Sequence, residues 1–226
     1  MKILLLIVAI VSAIMPVITQ KTGLSSKYSF KMKMLCALMY VATGILSAVM
    51  LFRVTDYSLL ILGALVSGFL GDFFLSYKND RYFPVGMGFF ALGHIVYIST
   101  FLVIGNYEII SSVIYIIIAT VILFVPVTYV VKSKINLGKL MLPVFVYGFI
   151  LVLFFVCSIT KGIAAVSAGN LTYGLCMILG AVLFIASDIM LGLRTGGIKL
   201  PKILSHAVSY TYFPAQTLFA LSIYFQ

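Results

Sequence analysis

The chain has 226 residues, of which 63% are hydrophobic and only 9% charged. A water-soluble domain is nearer half apolar and a quarter charged, so this composition excludes a soluble globule and makes the bilayer the solvent. The formal charge of +10 then reads as cations set in loops at an anionic membrane surface, not as a nucleic-acid footprint.

In chain order, eight apolar runs cover roughly 2–19, 31–52, 57–77, 83–104, 108–131, 139–160, 171–193 and 203–225. Each is near the ~20 residues a helix needs to cross a bilayer. The runs are continuous and lack the alternation of a membrane barrel. The expected fold is therefore all-α: a polytopic membrane helix bundle of eight transmembrane helices, forming a single transmembrane domain over 1–226. The first run resembles a signal peptide in its Lys2, apolar stretch and small residues Ser12 and Ala13. Met15-Pro16-Val17 carries the apolar stretch past any cleavage site, so a retained helix is expected. Cys36, Cys157 and Cys176 stand singly inside apolar runs, without metal or disulfide spacing, and read as small buried hydrophobes.

The loop cations set an orientation. The odd loops hold Lys21, Lys27, Lys31 and Lys33, then Lys78 and Arg81, then Lys132, Lys134 and Lys139, and last Arg194, Lys199 and Lys202. These are twelve of the fifteen Lys and Arg residues. The other side holds Lys2, Arg53 and Lys161. The positive-inside rule places the odd loops in the cytoplasm and both termini outside. Short loops and the absence of targeting signals favour a bacterial cytoplasmic membrane.

Two carboxylates break the apolar pattern. Asp72 begins D-x-x-L-x-x-K up to Lys78 in the third run, and Asp188 begins D-x-x-L-x-x-R up to Arg194 in the seventh. They are two of only five acidic residues. A carboxylate inside an apolar span is expensive and marks a functional site by default. The third and seventh helices are expected to end at Lys78 and Arg194. Six residues then separate each carboxylate from its cation, a depth of roughly 9 Å. Matched depth and direction suggest a four-plus-four parallel repeat. The remaining intramembrane polar residues gather on helix four (Tyr82, His94, Tyr97) and helix eight (His206, Tyr210, Tyr212, Gln216). Helices one, two, five and six read as nearly bare of ionisable groups. Blander readings exist for all of these: hydrogen-bonded packing for the aspartates and His94, interface anchoring for the tyrosines, and plain positive-inside placement for Lys78, Arg81 and Arg194. Gly63, Gly68, Gly71, Gly86, Gly88 and Gly93 most simply let helices approach closely.

The stretch Gly71-Asp72-Phe73-Phe74-Leu75, followed by Gly86-Met87-Gly88-Phe89-Phe90-Ala91-Leu92-Gly93-His94-Ile95-Val96-Tyr97, resembles a signature of the YhhN/TMEM86 family of membrane proteins. Leu183-Phe184-Ile185-Ala186-Ser187-Asp188 and Thr211-Tyr212-Phe213-Pro214-Ala215-Gln216 resemble a second. The likeness spans essentially the whole chain. Pro214 departs from the family pattern and is expected to kink helix eight. The resemblance implies a lysoplasmalogenase, a hydrolase of the sn-1 vinyl ether of lysoplasmalogens that yields a fatty aldehyde and a glycerophospho-base.

That chemistry suits the residues. A vinyl ether hydrolyses by protonation of its β-carbon, addition of water to the oxocarbenium ion and collapse of the hemiacetal. An acid, a negative charge and a base are needed, and two carboxyl groups can divide these roles as they do in glycoside hydrolysis. No metal or redox cofactor is required. Asp72 and Asp188 are the expected catalytic pair, with His94, Tyr97, Tyr210, Tyr212 and Gln216 lining the substrate and Lys78, Arg81 and Arg194 meeting its phosphate. The implied partners are a lysophospholipid and membrane lipid, with no nucleic acid. A small proton- or cation-coupled transporter is the alternative use of paired intramembrane carboxylates, although such sites lie nearer the midplane.

Overall fold

Eight helices make up the described part of the chain: α1 (Lys2–Lys21), α2 (Ser29–Met50), α3 (Asp56–Leu75), α4 (Tyr82–Ile104), α5 (Ile109–Lys132), α6 (Met141–Ser167), α7 (Leu171–Thr195) and α8 (Lys202–Phe225). The structure is a computed structural model that describes residues 2–22, 29–52, 54–77, 81–104, 109–132, 141–195 and 201–226. No strand occurs among them. Six helices (α1, α2, α3, α4, α6 and α7) are long and apolar enough to cross a membrane, and α5 adds the apolar segment Val113–Phe124.

The surface explains the composition. Large aliphatic side chains such as Leu59, Val66, Leu92, Ile95, Ile117 and Val121 point outward. α1 shows the pattern most plainly. Leu5, Ala9, Ser12, Pro16 and Thr19, spaced four, three, four and three residues apart, form its buried stripe, and the rest of the helix is mostly Ile, Leu and Val turned outward. Water would not tolerate that outer face, but lipid does.

The neighbours follow a regular order. α1 lies on α2, α2 on α3 and α3 on α4; α5 lies on α6, α6 on α7 and α7 on α8. α2 also meets α8, and α6 meets α4. α1 closes against α8, where the Ser12 and Thr217 hydroxyls are 2.8 Å apart. Small residues set the closest approach. A Cβ on Gly71 would come within 2.8 Å of the Phe90 ring, and one on Gly86 within 3.1 Å of the Gly71 carbonyl. Gly63 and Gly88, expected to serve the same purpose, face open space.

Helix ends account for two differences from the sequence reading. α3 begins with a capping box between Thr55 and Ser58 and stops at Leu75, short of Lys78, with Ser76 as its C-cap. The Ser76 hydroxyl donates to the Asp72 carbonyl at 2.6 Å. Lys78 itself lies outside the described residues. α6 runs on through Lys161 to Ser167 instead of stopping near 160. It ends in a Schellman turn, in which Gly169 N–H donates to Val166 O and Asn170 N–H to Ala165 O. Gly169 supplies the positive φ of 88° that this turn needs, and the Asn170 side chain then caps α7 through the Tyr173 N–H. Pro214 sits inside α8, which runs on past it to Phe225. The three cysteines are free and buried.

Candidate active site

The end of the bundle where α1, α3 and α7 finish and α2, α4 and α8 start holds a cavity of about 690 Å³. That is the volume of a small-molecule pocket. Both intramembrane aspartates line it. Asp72 comes from the last turn of α3 and Asp188 from two turns before the end of α7.

Their surroundings differ. Asp72 is buried at 2% exposure. Its Oδ1 is 3.0 Å from Lys33 Nζ, and its Oδ2 accepts from the Tyr40 hydroxyl at 3.4 Å. Lys33 Nζ also reaches the Asp72 carbonyl, at 3.4 Å. Lys33, counted from sequence among the loop cations, lies inside α2 and turns inward, as does Tyr40 from the same helix. Asp188 is only half-buried. Its Oδ2 accepts a hydrogen bond from the Tyr147 hydroxyl of α6. Helices α2 and α6 thus supply the partners of the two carboxyl groups, which corrects the reading of both as bare of ionisable groups.

A buried hydrogen-bonded chain leads to Asp72 from deeper in the bundle. The Tyr97 hydroxyl donates to Gln216 Oε1 at 3.1 Å, and Gln216 Nε2 donates to the Tyr212 hydroxyl at 3.2 Å. The Tyr212 and Tyr40 hydroxyls are 3.4 Å apart, and Tyr40 reaches Asp72. Gly68, one turn before Asp72 on α3, leaves room for this junction. A Cβ there would lie 2.6 Å from Gln216 Nε2 and 3.4 Å from both tyrosine oxygens.

The remaining residues singled out from sequence fall in distinct places. Arg194 lines the cavity, joined there by Lys33, His206 and Ser209. Tyr212 forms part of the wall. Tyr97 and Gln216 are buried behind it and are not among the lining residues. His94 is also behind the wall, 1% exposed, with its ring 4.7 Å from Phe154, 4.8 Å from Phe184 and 5.7 Å from Tyr147 between centroids. Neither of its ring nitrogens has a hydrogen-bond partner among the described residues. Tyr210 is half-buried beside His206 on α8, with ring centroids 6.5 Å apart. Neither Tyr210 nor the exposed Arg81 is among the lining residues.

Sequence reasoning missed Lys33, Tyr40 and Tyr147. A usable signal existed for the tyrosines. A phenol well inside an apolar span, away from the interface belt, needs a buried partner for its hydroxyl, and the aspartates were the obvious acceptors.

The fold and the cavity define a class: a helical integral membrane protein with two carboxyl groups and a cationic rim in a pocket at one end of the bundle. The YhhN family model matches residues 26–223. The chain belongs to that family, and the match takes in α2 to α7 and most of α8. Searches of curated proteins and of solved structures find no match.

Proposed function

We propose that this protein is a membrane lysoplasmalogenase that cleaves the sn-1 vinyl ether of a lysophospholipid. The observation that carries the reading is the meeting of Asp72 and Asp188, from helices far apart in sequence, in one pocket with Lys33 and Arg194. Family membership is consistent with a hydrolase. The substrate has matching parts: a phosphate for the cationic rim, an ether oxygen just below it and one hydrocarbon chain.

In this reading all eight helices cross the bilayer as a four-plus-four arrangement and form one domain. The order of helix neighbours supports it, since α1–α2, α2–α3 and α3–α4 are echoed by α5–α6, α6–α7 and α7–α8. The cavity faces the cytoplasmic leaflet, where the cation-rich loops belong by the positive-inside rule. The phosphate is held by Arg194, with His206 and Ser209 as further donors. This revises the set expected from sequence, Lys78, Arg81 and Arg194: Arg81 is not among the lining residues, and Lys78 lies outside the described residues. The carboxyl pair then lies below the phosphate, at the level of the ether.

The reaction needs an acid able to protonate carbon, a negative charge beside the oxocarbenium ion and a base for water. Paired carboxyl groups supply these to a similar cation in glycoside hydrolysis, and a partly dry pocket strengthens each charge interaction. The test is a panel of lysolipids presented to purified protein in detergent: vinyl ether, saturated alkyl ether and ester. The vinyl ether should give free aldehyde, and Asp72→Asn and Asp188→Asn should each abolish or strongly reduce it. Fatty acid from the ester, or full aldehyde release by both folded variants, would reject the reading. Turnover without a membrane gradient would also reject a pure transporter.

A further inference from the structure

We infer that the two aspartates have fixed and different roles: Asp188 is the proton donor, and Asp72 is a permanent anion held in place by Lys33, Tyr40, Tyr212 and Gln216. This inference rests on the vinyl-ether reading above and divides its chemistry between two named groups.

The hydrogen bonds around Asp72 run in one direction. Gln216 is oriented by Tyr97, whose hydroxyl donates to Oε1, so that the Gln216 amide N–H points at the Tyr212 oxygen. Having accepted there, Tyr212 has its own proton left for Tyr40 or Asp72, and Tyr40 donates to Asp72 Oδ2. Lys33 meets the other oxygen at 3.0 Å. An ammonium has only protons to give. Both oxygens of Asp72 are therefore taken by donors, and a proton on either would have to displace one of them. Such a carboxyl group is an acceptor throughout.

Asp188 is built the other way. Tyr147 donates to one oxygen, Oδ2. Among the described residues no donor and no cation meets Oδ1, and the residue is half-buried on the cavity wall. A carboxylic acid with its carbonyl oxygen held by a phenol and its O–H turned to the pocket is set to protonate a substrate. Tyr147 is itself braced by the ring of His94, 5.7 Å away between centroids. Tyr40, Tyr147, Tyr212, Gln216 and Lys33 are positioning residues in this scheme; none needs to touch the reacting atoms.

The step balances as follows. The Asp188 O–H proton passes to the β-carbon of the vinyl ether, and the C=C π electrons form the new C–H bond. The α-carbon becomes an oxocarbenium ion beside the Asp72 carboxylate. Water adds to that carbon and gives its proton to Asp188, which is restored. The hemiacetal then loses its O–H proton to form the aldehyde C=O, the C–O bond to glycerol breaks, and the departing oxygen takes a proton. Vinyl ether and one water become aldehyde and alcohol, with no oxidant or reductant.

Infrared spectroscopy of the purified protein in detergent at neutral pH, with aspartate labelled by 13C in its side-chain carboxyl, tests the assignment without any substrate. A protonated carboxyl C=O band should be present in the wild type, persist in Asp72→Asn and vanish in Asp188→Asn. Should either Asn variant fail to fold, Tyr147→Phe and Tyr40→Phe decide: the first should shift the band upward as its hydrogen bond is lost, and the second should leave it in place. A band lost with Asp72, a band moved by Tyr40→Phe and not by Tyr147→Phe, or no band in the wild type overturns the proposal. Because no substrate is involved, the expected band pattern in a protein that releases no aldehyde supports the placement of the proton and rejects the substrate reading alone.

Discussion

Asp72 and Asp188 occupy one cavity but stand in opposite settings. The first is sealed in the wall, paired with a lysine and fed by a chain of donors from Gln216. The second is half-buried and held by a single tyrosine. Two similar sequence motifs have thus become two different chemical groups. Helices α3 and α7 place both carboxyl groups in one pocket, but the helices packed beside them, α2 and α6, decide what each can do.

The largest expected effect separates the pair directly. Asp188→Asn should lower kcat for aldehyde release by about 10⁴-fold, near the upper end for loss of a general acid. Asp72→Asn should lower it by about 10²- to 10³-fold, the range for removing a group that stabilises transition-state charge. Equal losses, or the reverse order, would break the contrast. Both are read from initial rates with a vinyl-ether lysolipid.

The next effect is on stability. Lys33→Met leaves the Asp72 carboxylate buried without its cation. Full burial of an unpaired partner costs about 3–5 kcal/mol; Lys33 is 32% exposed, so about 1–3 kcal/mol is expected after allowance for solvent screening. Adding Asp72→Asn to Lys33→Met should recover most of the loss, which unfolding in detergent would measure. Additive losses would mean that the ion pair does not couple the two residues.

A smaller effect falls on binding. Arg194→Gln should raise KM several-fold with kcat nearly unchanged, because phosphate held equally in ground and transition states acts on binding alone. The smallest effect is expected at His94. Both its ring nitrogens lack partners among the described residues, and replacing an unsatisfied buried polar group by an apolar one of similar shape is nearly neutral or stabilising. His94→Phe should therefore keep the fold and lower aldehyde release only slightly, by loosening the brace on Tyr147. A collapse of activity like that of Asp188→Asn would put His94 in the chemistry after all.

Much of this was legible in the chain. The eight helices follow from apolar runs bounded by cations and turn residues, and the observed bounds agree with the expected ones apart from a few ends. The end of α6 is set by the hydrogen bonds of the Gly169-Asn170 turn, which hydropathy does not register. The aspartates stood out because charge in an apolar run is so unfavourable that only a site or a partner explains it. Their partners did not stand out. Lys33 looked like an ordinary positive-inside residue, since it follows Lys27 and Lys31 at the start of α2. Tyr40 and Tyr147 gain their meaning from helices that meet only in three dimensions. His94, Tyr97 and Gln216 were expected to line the substrate, but all three are buried and absent from the cavity lining, a placement that depends on how the helices pack.

The central claim is that a carboxylic acid in this cavity protonates carbon. Hydrolysis of a vinyl-ether lysolipid by the purified protein in D₂O, with the aldehyde trapped as it forms by reduction to the alcohol, tests it by mass spectrometry. One deuterium on the carbon next to the former carbonyl is the expected result. Aldehyde without deuterium at that carbon, or fatty acid in its place, would contradict it.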